Sequence, residues 1–146
     1  MLRQMQSLFL IGLLLITTGC GSPSPVKVSG STGTEPVEIL RQHMGNDEAF
    51  AKIGGTLLNS ASDTTANLGT LAPDFNTESV IVVALGEVPT AGFGITITGV
   101  QKQGDKVFVQ FKTSQPGDVA AQVISYPFAA VAVPKLTGTL FLEESN

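Results

Sequence analysis

The chain has 146 residues and a formal net charge of −4, from 8 Lys and Arg against 12 Asp and Glu. That length holds one ordinary domain plus extensions, and the acidic balance argues against a phosphate-tracking, nucleic-acid-binding surface. One Cys and one His exclude an internal disulfide, a thiolate cluster and a multi-His metal centre, while 42% apolar residues exclude a disordered chain.

Residues 1–20 read MLRQMQSLFLIGLLLITTGC. Arg3 gives a positive start, and Leu8 to Ile16 is an apolar run too short to cross a bilayer, which needs roughly 20 residues. Its length is that of a signal-peptide core. Thr17, Thr18 and Gly19 lead to Cys20, which resembles a bacterial lipobox, although Thr17 stands where Leu is usual. Cys20 is the expected lipidation site, and lipidation would remove a lone thiol from an oxidising compartment. The acyl chains would anchor the protein to a membrane. Residues 21–34 (GSPSPVKVSGSTGT) are mostly Gly, Ser, Pro and Thr and read as a flexible tether. The absence of Asp after Cys20 points to the outer membrane or outer leaflet of the cell envelope.

The expected folded domain is 35–146. Val37, Leu40 and Met44 fit a helical turn, but VEIL could also begin a strand. Asn46 is a candidate helix cap, with Asp47 and Glu48 in the first turn. Phe50, Ile53 and Leu57 then fall on one helical face, which Gly54 and Gly55 weaken. Residues 59–70 read as a polar loop. Ser79 to Leu85 (SVIVVAL) is a buried-strand pattern. Phe93 to Val100 alternates as a half-buried strand, and Gln103-Gly104-Asp105 turns the chain into a partner strand through Val107, Val109 and Phe111. Gln115 to Asp118 is a further turn. Ala121–Ser125, Phe128–Val133 and Thr137–Glu143 are three more strand candidates, with Pro127 and Pro134 at strand ends or on an edge. The fold class is therefore mainly β, a small antiparallel sandwich or barrel with one or two short N-terminal helices.

The sequence offers little chemistry. His43 lies in a weakly patterned segment far from any Gly-framed Ser, and no G-x-S-x-G, P-loop, C-x-x-C or EF-hand spacing occurs. Gly92-Phe93-Gly94 begins like a dinucleotide fingerprint but opens a strand. Asp47-Glu48 and Glu143-Glu144 are sequence neighbours that point apart. No catalytic residue, metal ion or cofactor is expected. The segment Gly86 to Phe93 is distinctive, because it joins two strong strands with a Pro, two Gly and an aromatic where a plain hairpin uses two to five polar residues.

Two segments, DFNTESVIVVALGEVPTAGFGITI (74–97) and QVISYPFAAVAVP (122–134), resemble the C-terminal domain of the protease complex subunit PrcB family. The family's Gly-x-x-Pro-Thr-x-Gly-aromatic loop corresponds to Gly86, Pro89, Thr90, Gly92 and Phe93, with Phe93 where Tyr is usual. Its late aromatic-Pro-aromatic run corresponds to Tyr126-Pro127-Phe128. Phe50 and Ile53 fill upstream helix positions where the family often has Trp. The resemblance implies a lipoprotein that accompanies an exported protease as a non-enzymatic accessory subunit. The loop Gly86, Pro89, Thr90, Gly92, Phe93, with Tyr126 and Phe128, would then be the partner-binding surface. The Pro-Thr-x-Gly-aromatic loop also resembles that of chagasin-type protease inhibitors, whose other signatures are lacking here. Direct protease inhibition, and a structural or ligand-binding envelope role, are the alternatives.

Overall fold

The computed structural model describes residues 33–146. The expected signal segment 1–20, Cys20 and nearly all of the tether lie outside the described residues. Among these residues eight strands run in chain order: β1 (Glu35–Pro36), β2 (Arg41–Asn46), β3 (Gly54–Leu58), β4 (Glu78–Ala84), β5 (Gly94–Gln103), β6 (Lys106–Ser114), β7 (Pro127–Pro134) and β8 (Thr139–Glu144). They form two four-stranded sheets, ordered β1-β5-β6-β8 and β2-β7-β4-β3. The second sheet is antiparallel throughout, whereas β8 lies parallel to β6 in the first. The mainly β expectation holds, and two separate sheets replace the option of one closed barrel.

The sheets face each other across one apolar core. Ile81 and Val83 of β4 and Val131 and Val133 of β7 pack with Ile95 and Ile97 of β5 and Val107 and Val109 of β6. The opposite face of β4 and β7 is buried as well. Val80, Val82, Ala130 and Ala132 lie there under Phe50, Leu58, Leu71 and Phe128. The connections 47–53 and 59–77 cover this face, so the second sheet is a central layer. This explains why β4 and β7 read as nearly unbroken apolar runs and not as alternating ones. Ser79 is the polar exception, fully buried at the start of β4. Its hydroxyl oxygen lies 2.6 Å from Asn59 Oδ1 and accepts from the Leu136 amide at 3.1 Å. Those bonds tie the β7–β8 connection to the core, as a buried hydroxyl requires.

The short N-terminal helices are not found among the described residues. Residues 41–46 form β2, because pairing with β7 from Arg41↔Ala132 to Asn46↔Pro127 satisfies their backbone. Asp47, not Asn46, is the cap, and it caps a single 3₁₀ turn, Glu48–Phe50. The helical spacing of Phe50, Ile53 and Leu57 is coincidental. Phe50 is buried on the covered face, Ile53 is 79% exposed, and Leu57 packs on the inter-sheet core. Residues 59–70 are irregular, as expected, with two 3₁₀ turns, Ala61–Asp63 and Gly69–Leu71. Residues 121–125 make no strand, only one bridge, Ser125 to Val88. Pro127 and Pro134 do stand at the two ends of β7. No helix among the described residues is long and apolar enough to cross a membrane.

Candidate functional site

Strand register gathers three connections at one end of the molecule. Asn46 ends β2 opposite Pro127, Phe128 near the start of β7 pairs with Ala84 at the end of β4, and Ala84 pairs with Gly54 at the start of β3. Gly94 and Ser114 are paired at the adjoining ends of β5 and β6. The connections 47–53, 85–93 and 115–126 therefore emerge side by side.

They are stitched to one another by backbone hydrogen bonds. The Glu87 amide donates to Ala51 O at 3.2 Å. Val88 and Ser125 exchange amide-to-carbonyl bonds, both of 2.9 Å. The Ala91 amide donates to Ala121 O at 3.0 Å, and the Asp47 amide to Tyr126 O at 3.1 Å. The Tyr126 amide in turn donates to Asn46 Oδ1 at 2.6 Å. Two glycines permit this crossing. Gly86 has φ +75° and is buried, and a Cβ there would stand 2.8 Å from the Ile53 backbone nitrogen. Gly92 has φ +97°, and a Cβ there would stand 2.9 Å from Pro116 Cβ. Only glycine suits both the left-handed backbone and the close approach.

Of the residues expected to bind a partner, Gly86, Pro89, Thr90, Gly92 and Phe93 lie on the middle connection and Tyr126 on the third, so the structure brings these six together. Pro89 is exposed, and Thr90, Phe93 and Tyr126 are half-buried. Phe128 differs. It is 1% exposed and packs against Phe50, with ring centroids 4.6 Å apart, and against His43 at 5.9 Å. Its aromatic ring faces the covered side of the second sheet, and a partner at the surface would not touch it. Phe128 is a core residue.

Sequence reasoning passed over the most exposed apolar groups of this end. Val119 is 97% exposed, Ile53 79%, and Val123 and Ile124 57% each. Val123 and Ile124 read as strand residues and Ile53 as helical; each assignment would have buried them. The Gln115–Asp118 turn signal and Gly54-Gly55 were the local signs that these apolar residues sit outside regular structure.

The electrostatics are acidic and modest. Loss of hydration on burial raises the Tyr126 hydroxyl above the ordinary tyrosine range, and the Glu87 and Glu48 carboxylates reinforce the shift. The Tyr126 hydroxyl donates to Glu87 Oε2 at 3.4 Å. A cavity of about 440 Å³ beside the first connection is lined by Glu48, Lys52, Phe50 and the backbone near Gly54. It holds no nucleophile–base pair. His43 is half-buried with its ring against Phe128 on the same covered face, and it does not line the cavity. No group of three or more His, Cys, Asp or Glu among the described residues could hold a metal ion. What the geometry presents is a preorganised set of backbone loops bearing exposed aliphatic side chains.

Two of the three connections fall in one recognised segment. Residues 79–134 match the family model for PrcB C-terminal. The PrcB-type segment spans β4 to β7 and therefore contains both the 85–93 and the 115–126 connections. An uncharacterized protein of Methanocaldococcus jannaschii is 36% identical over 56 residues, covering 38% of this chain and 35% of its own length. The chain thus spans about a third of the length of that curated relative. No solved structure matches the chain.

Proposed function

We propose that this protein is a lipid-anchored, non-enzymatic interaction module of the bacterial cell envelope, an accessory subunit for an exported protease. Cys20 carries the lipid, and residues 21–34 hold the folded part away from the membrane. The three-loop end docks the protease. One observation carries the reading: three hydrogen-bonded connections present Ile53, Val119, Val123 and Ile124 to solvent at the same end as Pro89 and Phe93. Exposed aliphatic groups gain on burial, roughly 1.5–3 kcal/mol for each fully buried side chain. Their fixed backbone lowers the ordering cost of association. The PrcB-type match supports a protease-complex role of this kind, because it covers the two connections that carry most of the surface.

The test is a double variant, Val123→Ser with Ile124→Ser, in the full-length protein expressed in its host. Both side chains are exposed, so the fold is expected to survive, as checked by circular dichroism. Recovery of the protease partner should fall on the order of tenfold or more. Unchanged recovery with a folded variant would remove this end as the docking surface. Fatty-acid labelling that is lost in Cys20→Ser tests the anchor separately.

A further inference from the structure

The edges of the two sheets differ in how they are guarded against a further strand. β1 is two residues long and contains Pro36, β2 carries Arg41 and His43, and β8 carries Glu143 and Glu144. Short length, proline and charge are the usual protections of an exposed edge. β3 has none of them. Its sequence is Gly-Gly-Thr-Leu-Leu, it pairs with β4 alone, and its other backbone edge bonds to no strand among the described residues.

Two cavities line this edge on the covered face of the sheet. One of about 440 Å³ adjoins Gly54 and Thr56, and one of about 330 Å³ adjoins Thr56 and Leu58. Phe50 and Thr56 are common to both. Gly54, Thr56 and Leu58 are alternate residues of one strand, so the cavities recur along the edge at about 7 Å, the spacing of side chains i and i+2 in an added strand. A carboxylate stands on the wall of each, Glu48 in the first (beside Lys52) and Asp63 in the second. Asp63 is kept ionised by the Ser60 hydroxyl and the Asn59 and Ser60 amides, and its two oxygens retain room for a further donor. On the inner side lies Leu142, 37% exposed, close enough that a Cβ on Gly55 would stand 2.8 Å from its Cδ2.

We propose that β3 accepts an extended strand from a partner polypeptide, with basic side chains at i and i+2 entering the two cavities and an apolar residue between them against Leu142. Main-chain bonds to the free edge would supply affinity, and the two cavities would supply selectivity. This surface lies along the side of the second sheet; it shares the 47–53 connection with the three-loop end but not the 85–93 or 115–126 connections.

The probe is the capped peptide Ser-Lys-Val-Lys-Val-Ser, titrated into the full-length ¹⁵N-labelled protein. Amide shifts should concentrate in Gly54–Leu58, with slowed hydrogen exchange along that strand. Peptides N-methylated at both Lys or at both Val block opposite backbone edges. One of the two should lose binding at least tenfold, and the other should stay close to the parent. Thr56→Lys, at an exposed position, should weaken the peptide about tenfold with unchanged circular dichroism, while Thr56→Glu should strengthen it. Val123→Ser with Ile124→Ser should leave peptide binding unaltered, which separates this result from that of the loop surface. Shifts confined to other elements, equal effects of the two N-methylation patterns, or indifference to the charge at residue 56 would overturn the proposal. Concentration-dependent self-association through β3 would overturn it too, by making a second copy the occupant.

Discussion

Replacing Phe128 by alanine tests whether this aromatic belongs to the core or to a docking surface. The ring is 1% exposed, lies 4.6 Å from the Phe50 ring and 5.9 Å from the His43 ring, and fills the space above Gly45. Its cross-strand neighbours are Gly45 and Ala84, neither of which can swing into the void. Loss of a buried Phe costs about 3–5 kcal/mol. The pair with Phe50 adds to the area term by up to about 1.5 kcal/mol, so the upper half of that range, about 4–5 kcal/mol, is expected. With a urea slope of about 2 kcal/mol per molar, the midpoint should fall by about 2 M. Far-UV circular dichroism follows the sheets, and Tyr126, the single tyrosine in a chain without tryptophan, reports locally by fluorescence. Coincident transitions would establish two-state unfolding. A midpoint shift under about 0.5 M, equivalent to about 1 kcal/mol, would refute the packing assigned to Phe128 and return it to the surface.

Gly86→Ala should destabilise by about 1–3 kcal/mol, since φ is +75° and the new methyl meets the Ile53 nitrogen; a melting temperature equal to wild type would contradict the close crossing of the two connections. An ultraviolet titration of Tyr126 should show a midpoint above the ordinary tyrosine value of about 10. Glu87→Gln should lower that midpoint only partly, because burial is the larger cause, and a midpoint at the ordinary value in wild type would show a fully hydrated hydroxyl. Glu78 is held below the ordinary glutamate range, first by the hydrogen bond from Arg41. A carboxylate lowered on folding stabilises above its unfolded value, and that stability is lost as pH falls through the folded value. Arg41→Ala should therefore be less stable than wild type at neutral pH, with the difference closing below about pH 4; a difference independent of pH would assign the loss to packing of the Arg41 stem.

The strands that carry the core were legible because their residues announce burial directly. Val80 to Ala84 and Phe128 to Val133 are continuous apolar runs, and the structure buries both faces of each. The β5–β6 hairpin was legible from alternation on either side of Gln103-Gly104-Asp105, and it forms with one bulge between Ile97 and Gly99. The edges were not legible. β2 and β3 lack β-branched runs, and only their partners β7 and β4 make them strands. The parallel placement of β8 beside β6 follows a passage through β7 in the other sheet, which leaves no local mark. For the site, the Pro and two Gly of the 86–93 segment marked it as something other than a plain hairpin, and Gly86 and Gly92 both take positive φ. The exposed aliphatic groups were missed because periodicity assigns Ile53, Val123 and Ile124 to buried faces, and the contacts that hold their connections, the Glu87 amide to Ala51 O and the bridge between Val88 and Ser125, join residues 36 and 37 positions apart.

The most direct measurement is site-specific photocross-linking in the native host. A photoreactive residue replaces Ile124 in one full-length variant and Gln103, at the far end of β5 about 30 Å away, in another. Adducts are identified by mass spectrometry. An exported protease attached at 124 and absent at 103 is the predicted result. The same adducts at both positions, or a protease captured only at 103, would contradict docking through the three-loop end.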